Sequence, residues 1–117
     1  MFNFSKTVLS LSSICLSSVL NATESATITI YSFNEGKPLP KLEIFAADGK
    51  RQVSDQQGHA VMILPAKQQK ITFKYLGNQV AEMDLPLIEG ERVQLYVTTF
   101  DGGNKTVIEM DRFIPED

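Results

Sequence analysis

The stretch V-S-D-Q-Q-G-H-A-V-M-I-L-P, at residues 53–65, decides the fold of this chain. It joins an acidic turn to an apolar run that ends at a proline. In the turn, Asp55 can accept a hydrogen bond from the backbone two residues on, and Gly58 can adopt a positive φ that a branched residue adopts only with strain. The apolar run at residues 60–64 has the length of a strand. The stretch therefore predicts a β-hairpin whose second strand is buried.

Further short runs of alternating apolar and polar residues lie at residues 27–33, 41–47, 50–54, 70–75, 79–87, 92–100 and 106–110. A period of two is typical of strands with one buried face, and for the central run we expect Val61 and Ile63 to point into the core. The polar run at residues 50–54 is predicted to lie at a sheet edge. Helical periodicity is not sustained anywhere in these runs. The pattern predicts an all-β fold, a seven- to eight-stranded antiparallel β-sandwich of the transthyretin or immunoglobulin type, over residues 26–110.

The first 22 residues have the layout of a secretory signal peptide. Lys6 is their only charge, and the uncharged segment at residues 7–20 is shorter than the roughly 18 apolar residues that a membrane-spanning helix needs. Cleavage is predicted after Ala22, with Ala26 as an alternative site. It would remove Cys15, the only cysteine, so the exported domain would fold without disulfides.

Charge and length restrict the partners and the number of domains. The chain has 117 residues and a net charge of −3 with histidine neutral, and removal of Lys6 would reduce the 11 basic residues to 10 against 14 acidic ones. It has no basic run or basic stripe with interleaved aromatics, so nucleic acid is disfavoured as a partner. The roughly 95 residues that remain after cleavage suffice for one modest core. We therefore expect one domain, followed by a tail or linker at residues 111–117.

Four turn motifs resemble those of a known family. They are G-K-P-L-P-K-L-E-I at residues 36–44, S-D-Q-Q-G at 54–58, L-P-A at 64–66 and K-Y-L-G at 74–77. With these motifs, the chain resembles the carboxypeptidase-regulatory-like domains, which are β-sandwiches of the transthyretin type. The resemblance implies a non-enzymatic module with a structural or partner-binding role.

Two longer sequence stretches resemble a particular group of proteins that contain such domains. I-T-I-Y-S-F-N-E-G at residues 28–36 and V-Q-L-Y-V-T-T-F-D-G-G at 93–103 are similar to the N-terminal extension of TonB-dependent outer-membrane receptors. This implies an exported protein, periplasmic or associated with the outer membrane, whose partners include covalently continuous receptor domains. The sequence departs from that pattern because neither plug nor barrel precedes Asp117. The alternative is a free-standing periplasmic or secreted protein that binds a glycan or another protein.

Residues that could carry catalysis or bind a metal are few. His59 is the only histidine and lies four residues after Asp55, but no nucleophile elbow accompanies it, so a hydrolytic triad is not predicted. One histidine without cysteine cannot form a tetrahedral zinc site within a protomer. The turns at residues 55–58 and 101–104 hold one carboxylate each, too few for calcium. We expect no enzymatic activity, no metal and no cofactor.

Aromatic residues supply the remaining candidate, a partner-binding face. Tyr31 and Phe33 share one face of a predicted strand, and Tyr96 and Phe100 share one face of another. If these strands pair, their rings form a cross-strand cluster that a partner could contact, since exposed apolar patches tend to mark interaction sites. The alternative is that the rings pack as part of the core, as aromatic residues of a sandwich often do.

Overall fold

The computed structural model describes residues 24–115, and within them it contains nine strands. Their bounds in chain order are β1 Ser25–Asn34, β2 Lys37–Pro38, β3 Glu43–Phe45, β4 Arg51–Val53, β5 His59–Pro65, β6 Gln68–Tyr75, β7 Asn78–Pro86, β8 Arg92–Phe100 and β9 Lys105–Phe113. A 3₁₀ turn at Asp101–Gly103 joins the last two strands. Residues 24–115 include no helix that is long and apolar enough to cross a membrane. The predicted signal peptide at residues 1–22, with Cys15, and the end of the predicted tail lie outside the described residues.

The strands form two packed sheets, so the predicted all-β sandwich is confirmed. Sheet I has the order β9-β8-β1, and both β5 and the short β2 pair with the other edge of β1. Sheet II has the order β4-β3-β6-β7, with β4 at an edge as predicted. One pairing departs from the antiparallel expectation, because β1 and β8 run parallel. The last strand also runs to Phe113, beyond the predicted domain end at residue 110.

The core lies between the inner faces of the two sheets. The apolar side chains with less than 2% exposure are Ile28, Ile30, Leu42, Ile44, Leu64, Ile71, Phe73, Leu85, Val93, Leu95 and Val97. Most of them alternate with exposed or half-buried residues, as the period of two predicts. Full burial of one such side chain contributes about 1.5–3 kcal/mol, so this layer is the main source of stability.

The central strand β5 buries the face opposite to the predicted one. Val61 and Ile63 are 51% and 57% exposed, so the prediction that they face the core is wrong. Pairing with β1 decides the orientation, since Met62 lies opposite the core residue Ile28 and shares its side of the sheet. Every residue of the run 60–64 is apolar, so periodicity alone favours neither face.

The predicted hairpin around Gly58 is instead a crossover between the sheets. β4 pairs with β3 in sheet II, whereas β5 pairs with β1 in sheet I. Ser54 holds the end of β4 in sheet II through two hydrogen bonds of 2.9 Å to Leu42. The Ser54 N–H donates to the Leu42 carbonyl, and the Ser54 Oγ accepts from the Leu42 N–H. The Gly58 carbonyl then accepts from the Ser32 N–H of β1 at 2.7 Å. The predicted positive φ of Gly58 is confirmed at +82°.

Two buried serines fasten the crossover to the loop before β3. The hydroxyls of Ser32 and Ser54 each donate to the Leu39 carbonyl at 2.7 Å. The Leu39 N–H in turn donates to the Ser32 carbonyl at 2.9 Å. A buried carbonyl needs a partner, and short hydroxyl side chains reach one where no strand pairing is available. The turn motifs at residues 36–44 and 54–58 are therefore held together by buried polar contacts.

A buried ion pair closes the opposite end of sheet I. The Glu91 side chain is fully buried, and its carboxylate accepts hydrogen bonds from Nε of Arg112 and, at 2.8 Å, from its Nη2. Arg112 also donates to the Pro86 carbonyl at 2.5 Å, and the Ile88 N–H donates to Glu91 at 3.1 Å. The hydrogen bonds from Arg112 hold the pKa of Glu91 below its usual range, and the carboxylate raises the pKa of Arg112. The pair joins the loop after β7 to β9.

Candidate functional site

The four predicted aromatic residues lie on the outer face of sheet I, the side that points away from sheet II. Tyr31 and Phe33 are half-buried on β1, where they alternate with buried residues. Tyr96 and Phe100 have the same relation to the buried residues of β8. Since β1 and β8 are neighbours in the sheet, one surface carries all four rings.

A stacked tyrosine pair forms the centre of this surface. Tyr31 lies directly opposite Tyr96, with the ring centroids 5.2 Å apart and the ring planes 13° apart. On the other side of Tyr31, the His59 ring of β5 meets it edge-on at a centroid distance of 4.9 Å. The Tyr96 hydroxyl donates to Gln94 Oε1 at 2.8 Å. The cross-strand cluster therefore forms between Tyr31 and Tyr96, and it includes His59.

Phe33 and Phe100 lie on the same surface but outside the stacked pair. Phe33 is opposite Thr98 of β8 and Pro38 of β2. Phe100, at the end of β8, is 37% exposed, and Lys105 Nζ lies 5.9 Å from its ring centroid. The structure thus places the four predicted residues on one face without bringing them into a single cluster.

Sequence reasoning missed the apolar residues of β5 and β9 that extend this surface. Val61, Ile63, Val107 and Phe113 are between 42% and 57% exposed. The strand register places them in the same rows as the outer residues of β1 and β8. The sequence carries no signal for Val61 and Ile63, because the run 60–64 is apolar throughout and strand pairing decides which face is exposed. We call the tyrosine face the surface formed by Tyr31, Phe33, His59, Val61, Ile63, Tyr96, Phe100, Val107 and Phe113.

One depression lies on the tyrosine face, and a second one borders it. The first, of about 140 Å³, is lined by Thr27, Thr29, Arg92, Val93, Gln94 and Phe113. The Arg92 guanidinium lies 5.8 Å from the centroid of the Phe113 ring at its rim. A groove of about 350 Å³ borders the face at Val61 and Ile63, where β5 lies beside β4. The smaller recess adjoins the stacked pair, because Thr29 and Gln94 of its lining are the outer-face neighbours of Tyr31 and Tyr96 along their strands.

The outer face of sheet II differs because it is mainly charged. Its outward positions include Glu43, Arg51, Lys70, Lys74, Glu82 and Asp84. Arg51 and Glu43 form an ion pair at 2.6 Å. The one phenylalanine there, Phe45, lies 5.3 Å from Lys74 Nζ and 5.9 Å from the Arg51 guanidinium carbon. Charges of both signs are typical of a solvated sheet face, so the two outer faces of the sandwich have different chemistry.

The β9 side of the tyrosine face is acidic. Glu109 lies opposite Tyr96, and Asp111 lies opposite Gln94. Partial burial raises the pKa of Tyr96 above its usual value, and the negative charge of Asp111 adds to the shift. Tyr96 therefore keeps its proton at physiological pH and presents a neutral hydroxyl.

His59 and Asp55 serve the crossover turn. Asp55 Oδ1 accepts the backbone N–H groups of Gln57 and His59, each at 2.9 Å. These two hydrogen bonds lower the pKa of Asp55, and the bond from the His59 N–H has the larger effect. The His59 ring contacts Tyr31. This is the geometry of a turn capped by a carboxylate. In the part of the chain that the structure describes, no three His, Cys, Asp or Glu side chains are grouped to hold a metal ion.

Comparison with known proteins supports the fold. No protein-family model matches the sequence, and a search of curated proteins finds no match. Among solved structures, the C-terminal domain of AlgF from P. aeruginosa is similar, with 24% sequence identity and a TM-score of 0.56. The match covers 77% of this chain and 99% of that domain. At this identity the likeness shows the fold alone, and this chain is an all-β sandwich.

Proposed function

We propose that this chain is a non-enzymatic module that binds a partner protein through the tyrosine face. The stacked pair of Tyr31 and Tyr96, at the centre of an exposed sheet face, is the observation that carries the proposal. Tyrosine is common among the anchors of protein interfaces, because its ring offers a large contact area with few rotatable bonds. An interaction surface also explains why apolar residues lie on this outer face while sheet II carries charges.

The arrangement of charge supports a protein partner. The centre of the face is aromatic, whereas Arg92, Lys105, Glu109 and Asp111 are exposed around it. An apolar centre with a polar rim is the usual anatomy of a protein interface.

A glycan is the alternative ligand, since a tyrosine ring can also pack against a sugar. The aliphatic residues favour a protein. Val61, Ile63 and Val107 add exposed apolar area beyond the rings. Burying a hydroxyl-rich sugar against such area would cost hydrogen bonds, whereas an apolar protein surface loses none.

The contacts of His59 and Asp55 support a non-enzymatic role. The carboxylate that could orient a histidine base accepts backbone N–H groups of the turn. The His59 imidazole packs against Tyr31. Neither group is arranged as half of an acid–base pair.

A photo-cross-linking amino acid placed at Thr29 should capture the partner in cells that produce the protein. Thr29 lies beside the stacked pair on the tyrosine face, and Thr72 is a matched control because it is a half-buried threonine on the outer face of sheet II. We expect a defined protein adduct from position 29 and none of that mass from position 72. Adducts from position 72 alone, or the same adduct from both, would contradict the proposal, and a glycan adduct from position 29 would establish the alternative ligand.

We also propose that the module is exported, with a periplasmic, outer-membrane-associated or secreted location. Lys6 and the uncharged segment at residues 7–20 support this proposal. N-terminal sequencing of protein from the periplasmic fraction should begin at Thr23 or Thr27. Recovery of the bulk of the protein in the cytoplasm with Met1 intact would contradict export.

The place of the module in a TonB-dependent receptor is a separate proposal, supported by the two sequence stretches at residues 28–36 and 93–103. It requires that the reading frame continue past Asp117 into a plug and a barrel. A free-standing binding protein requires a stop codon there. Sequencing the gene through this point distinguishes the two.

A further inference from the structure

Strand β9 is an edge strand of sheet I within residues 24–115. It pairs with β8 on one side only, and it is nine residues long, Lys105–Phe113. Natural sheets protect their edges with short strands, prolines or lysines, because an open edge offers unpaired N–H and C=O groups to another strand. β9 has no internal proline, and its lysine is its first residue.

The other edges carry such protection. β4 is only three residues long, and β7 ends at Pro86. At the edge of β5, Lys50 Nζ donates to the Ile63 carbonyl at 2.9 Å. β9 is therefore the edge that is best suited to pairing with a further strand.

β9 carries exposed apolar side chains on both of its faces, beside its charged residues. Val107 on the outer face and Met110 on the inner face are each 42% exposed, and Ile108 is half-buried against the core. A strand beside β9 would cover these groups and satisfy its backbone in one step.

We propose that two copies of this chain pair through β9, antiparallel, about a twofold axis at Ile108. The two five-stranded sheets would become one continuous sheet. In this register, Lys105 lies opposite the partner's Asp111, and by symmetry the contact occurs twice. Cross-strand pairs of opposite charge stabilise an antiparallel pairing. The register also leaves Arg112 outside the paired segment, where it is bound to Glu91.

The alternative registers are less favourable. An axis at Glu109 places that carboxylate opposite its own copy, and an axis at Met110 places Glu109 opposite the partner's Asp111 twice. Like charges directly opposite each other destabilise a strand pair. An axis at Val107 pairs Lys105 with the partner's Glu109 but aligns only five residues of the strand before the turn at Asp101–Gly103 begins. The axis at Ile108 gives seven paired residues and no like-charge contact.

Charge reversal tests the proposed dimer by sedimentation equilibrium of the full chain. Lys105→Glu and Asp111→Lys should each raise the dimer Kd by about tenfold or more, because each replaces two attractive pairs with two repulsive ones. The double variant, which exchanges the two charges, should return the Kd to about the wild-type value. Lys67→Glu, at an exposed loop lysine outside β9 and outside the proposed pairing, should leave the Kd unchanged. A wild-type chain that stays monomeric at about 1 mM, or a double variant as weak as the single ones, would overturn the proposal.

Cysteine substitution tests the register in a Cys15→Ser background. Opposed residues in an antiparallel pair lie about 4.5–5.5 Å apart at Cα, within the range that a disulfide spans. Ile108→Cys should therefore form a disulfide-linked dimer on mild oxidation, several times faster than Val107→Cys or Glu109→Cys. Faster cross-linking at position 107 or 109 would contradict the axis at Ile108.

Discussion

Gly58→Ala should destabilise the domain by several kcal/mol, a large share of its total stability. Gly58 has φ +82°, and a Cβ built on it lies 2.4 Å from the Ser32 carbonyl oxygen and 3.2 Å from the Leu39 nitrogen, both backbone atoms. Positive φ costs a side-chain-bearing residue about 1–3 kcal/mol, and separating the buried partners would leave polar groups unsatisfied at about 1–3 kcal/mol each. The whole stability of a domain this size is only about 5–15 kcal/mol. Gly58→Val should destabilise the domain more than Gly58→Ala does, because the two methyl groups of valine add to the same clash.

Gly49→Ala is the matched control for the glycine prediction. Gly49 has φ +92°, but a Cβ there meets no atom within 4 Å. Gly49→Ala therefore introduces the strain of a positive φ without a steric clash. Thermal unfolding followed by circular dichroism should show a fall in Tm of more than about 10 °C for Gly58→Ala and a clearly smaller fall for Gly49→Ala. Equal falls would mean that backbone strain accounts for the whole effect and that the crossover contact with β1 contributes nothing.

Arg112→Leu should be the second severe substitution. It would leave the fully buried Glu91 carboxylate with only the Ile88 N–H as a partner among its present hydrogen bonds. Removing one member of a buried ion pair costs about 3–5 kcal/mol, and the partial exposure of Arg112 places the expected loss near the lower end. The free energy of unfolding, from urea titration, measures it. Replacing both residues, as Glu91→Met with Arg112→Leu, should recover part of the loss.

Arg51→Leu is the control for the ion-pair prediction. It breaks the pair with Glu43 at 2.6 Å, but these side chains are 51% and 27% exposed, and surface pairs contribute only about 0–1 kcal/mol. If Arg51→Leu lowers the free energy of unfolding as much as Arg112→Leu does, the claim that the buried Glu91 carboxylate requires Arg112 as its partner is contradicted.

The pH dependence of the Arg112→Leu effect provides a second readout. In the wild type the pKa of Glu91 is lowered, so its contribution to stability is complete above the unfolded value of 4.5 and is lost as the pH falls through the lower folded pKa. Without Arg112, burial should raise the pKa of Glu91, so the variant should be least stable, relative to wild type, at neutral pH. The difference in unfolding free energy should therefore narrow between about pH 7 and about pH 4. A difference that widens on acidification would contradict this account.

Periodicity predicted the strands, but it did not predict how they pair. The alternation at residues 27–33 located β1, because period two is a property of the chain itself. It did not decide which face is buried, since Ile28 and Ile30 lie on one face and Tyr31 and Phe33 on the other. The run at residues 60–64 is apolar throughout, so only its pairing with β1 determined that Val61 and Ile63 are exposed. The crossover at Gly58 was predicted as a hairpin because the local turn chemistry is the same. Contacts distant in sequence, such as the hydroxyl of Ser32 with Leu39, send β5 to the other sheet.

The candidate site was predictable to the same extent. Alternation placed Tyr31 and Tyr96 each on one face of a strand, but it left open whether those faces are exposed or belong to the core. Their stacking required the pairing of β1 with β8, in which the paired residues lie more than sixty positions apart. The aliphatic part of the tyrosine face, including Val107, depends on which strands are neighbours. The ion pair of Glu91 and Arg112 gave no signal in the sequence, because neither residue type is expected to be buried.

The most direct test of the central claim is the affinity of the purified module for the protein captured from position 29. Tyr96→Ser should weaken that binding by about tenfold or more, as expected for an interface anchor, with Tm close to that of wild type. Phe45→Ser, which removes a half-buried aromatic residue from the outer face of sheet II, should leave the Kd within about twofold of the wild-type value. If Tyr96→Ser binds as tightly as wild type, or if Phe45→Ser weakens binding by as much, the tyrosine face is not the binding surface.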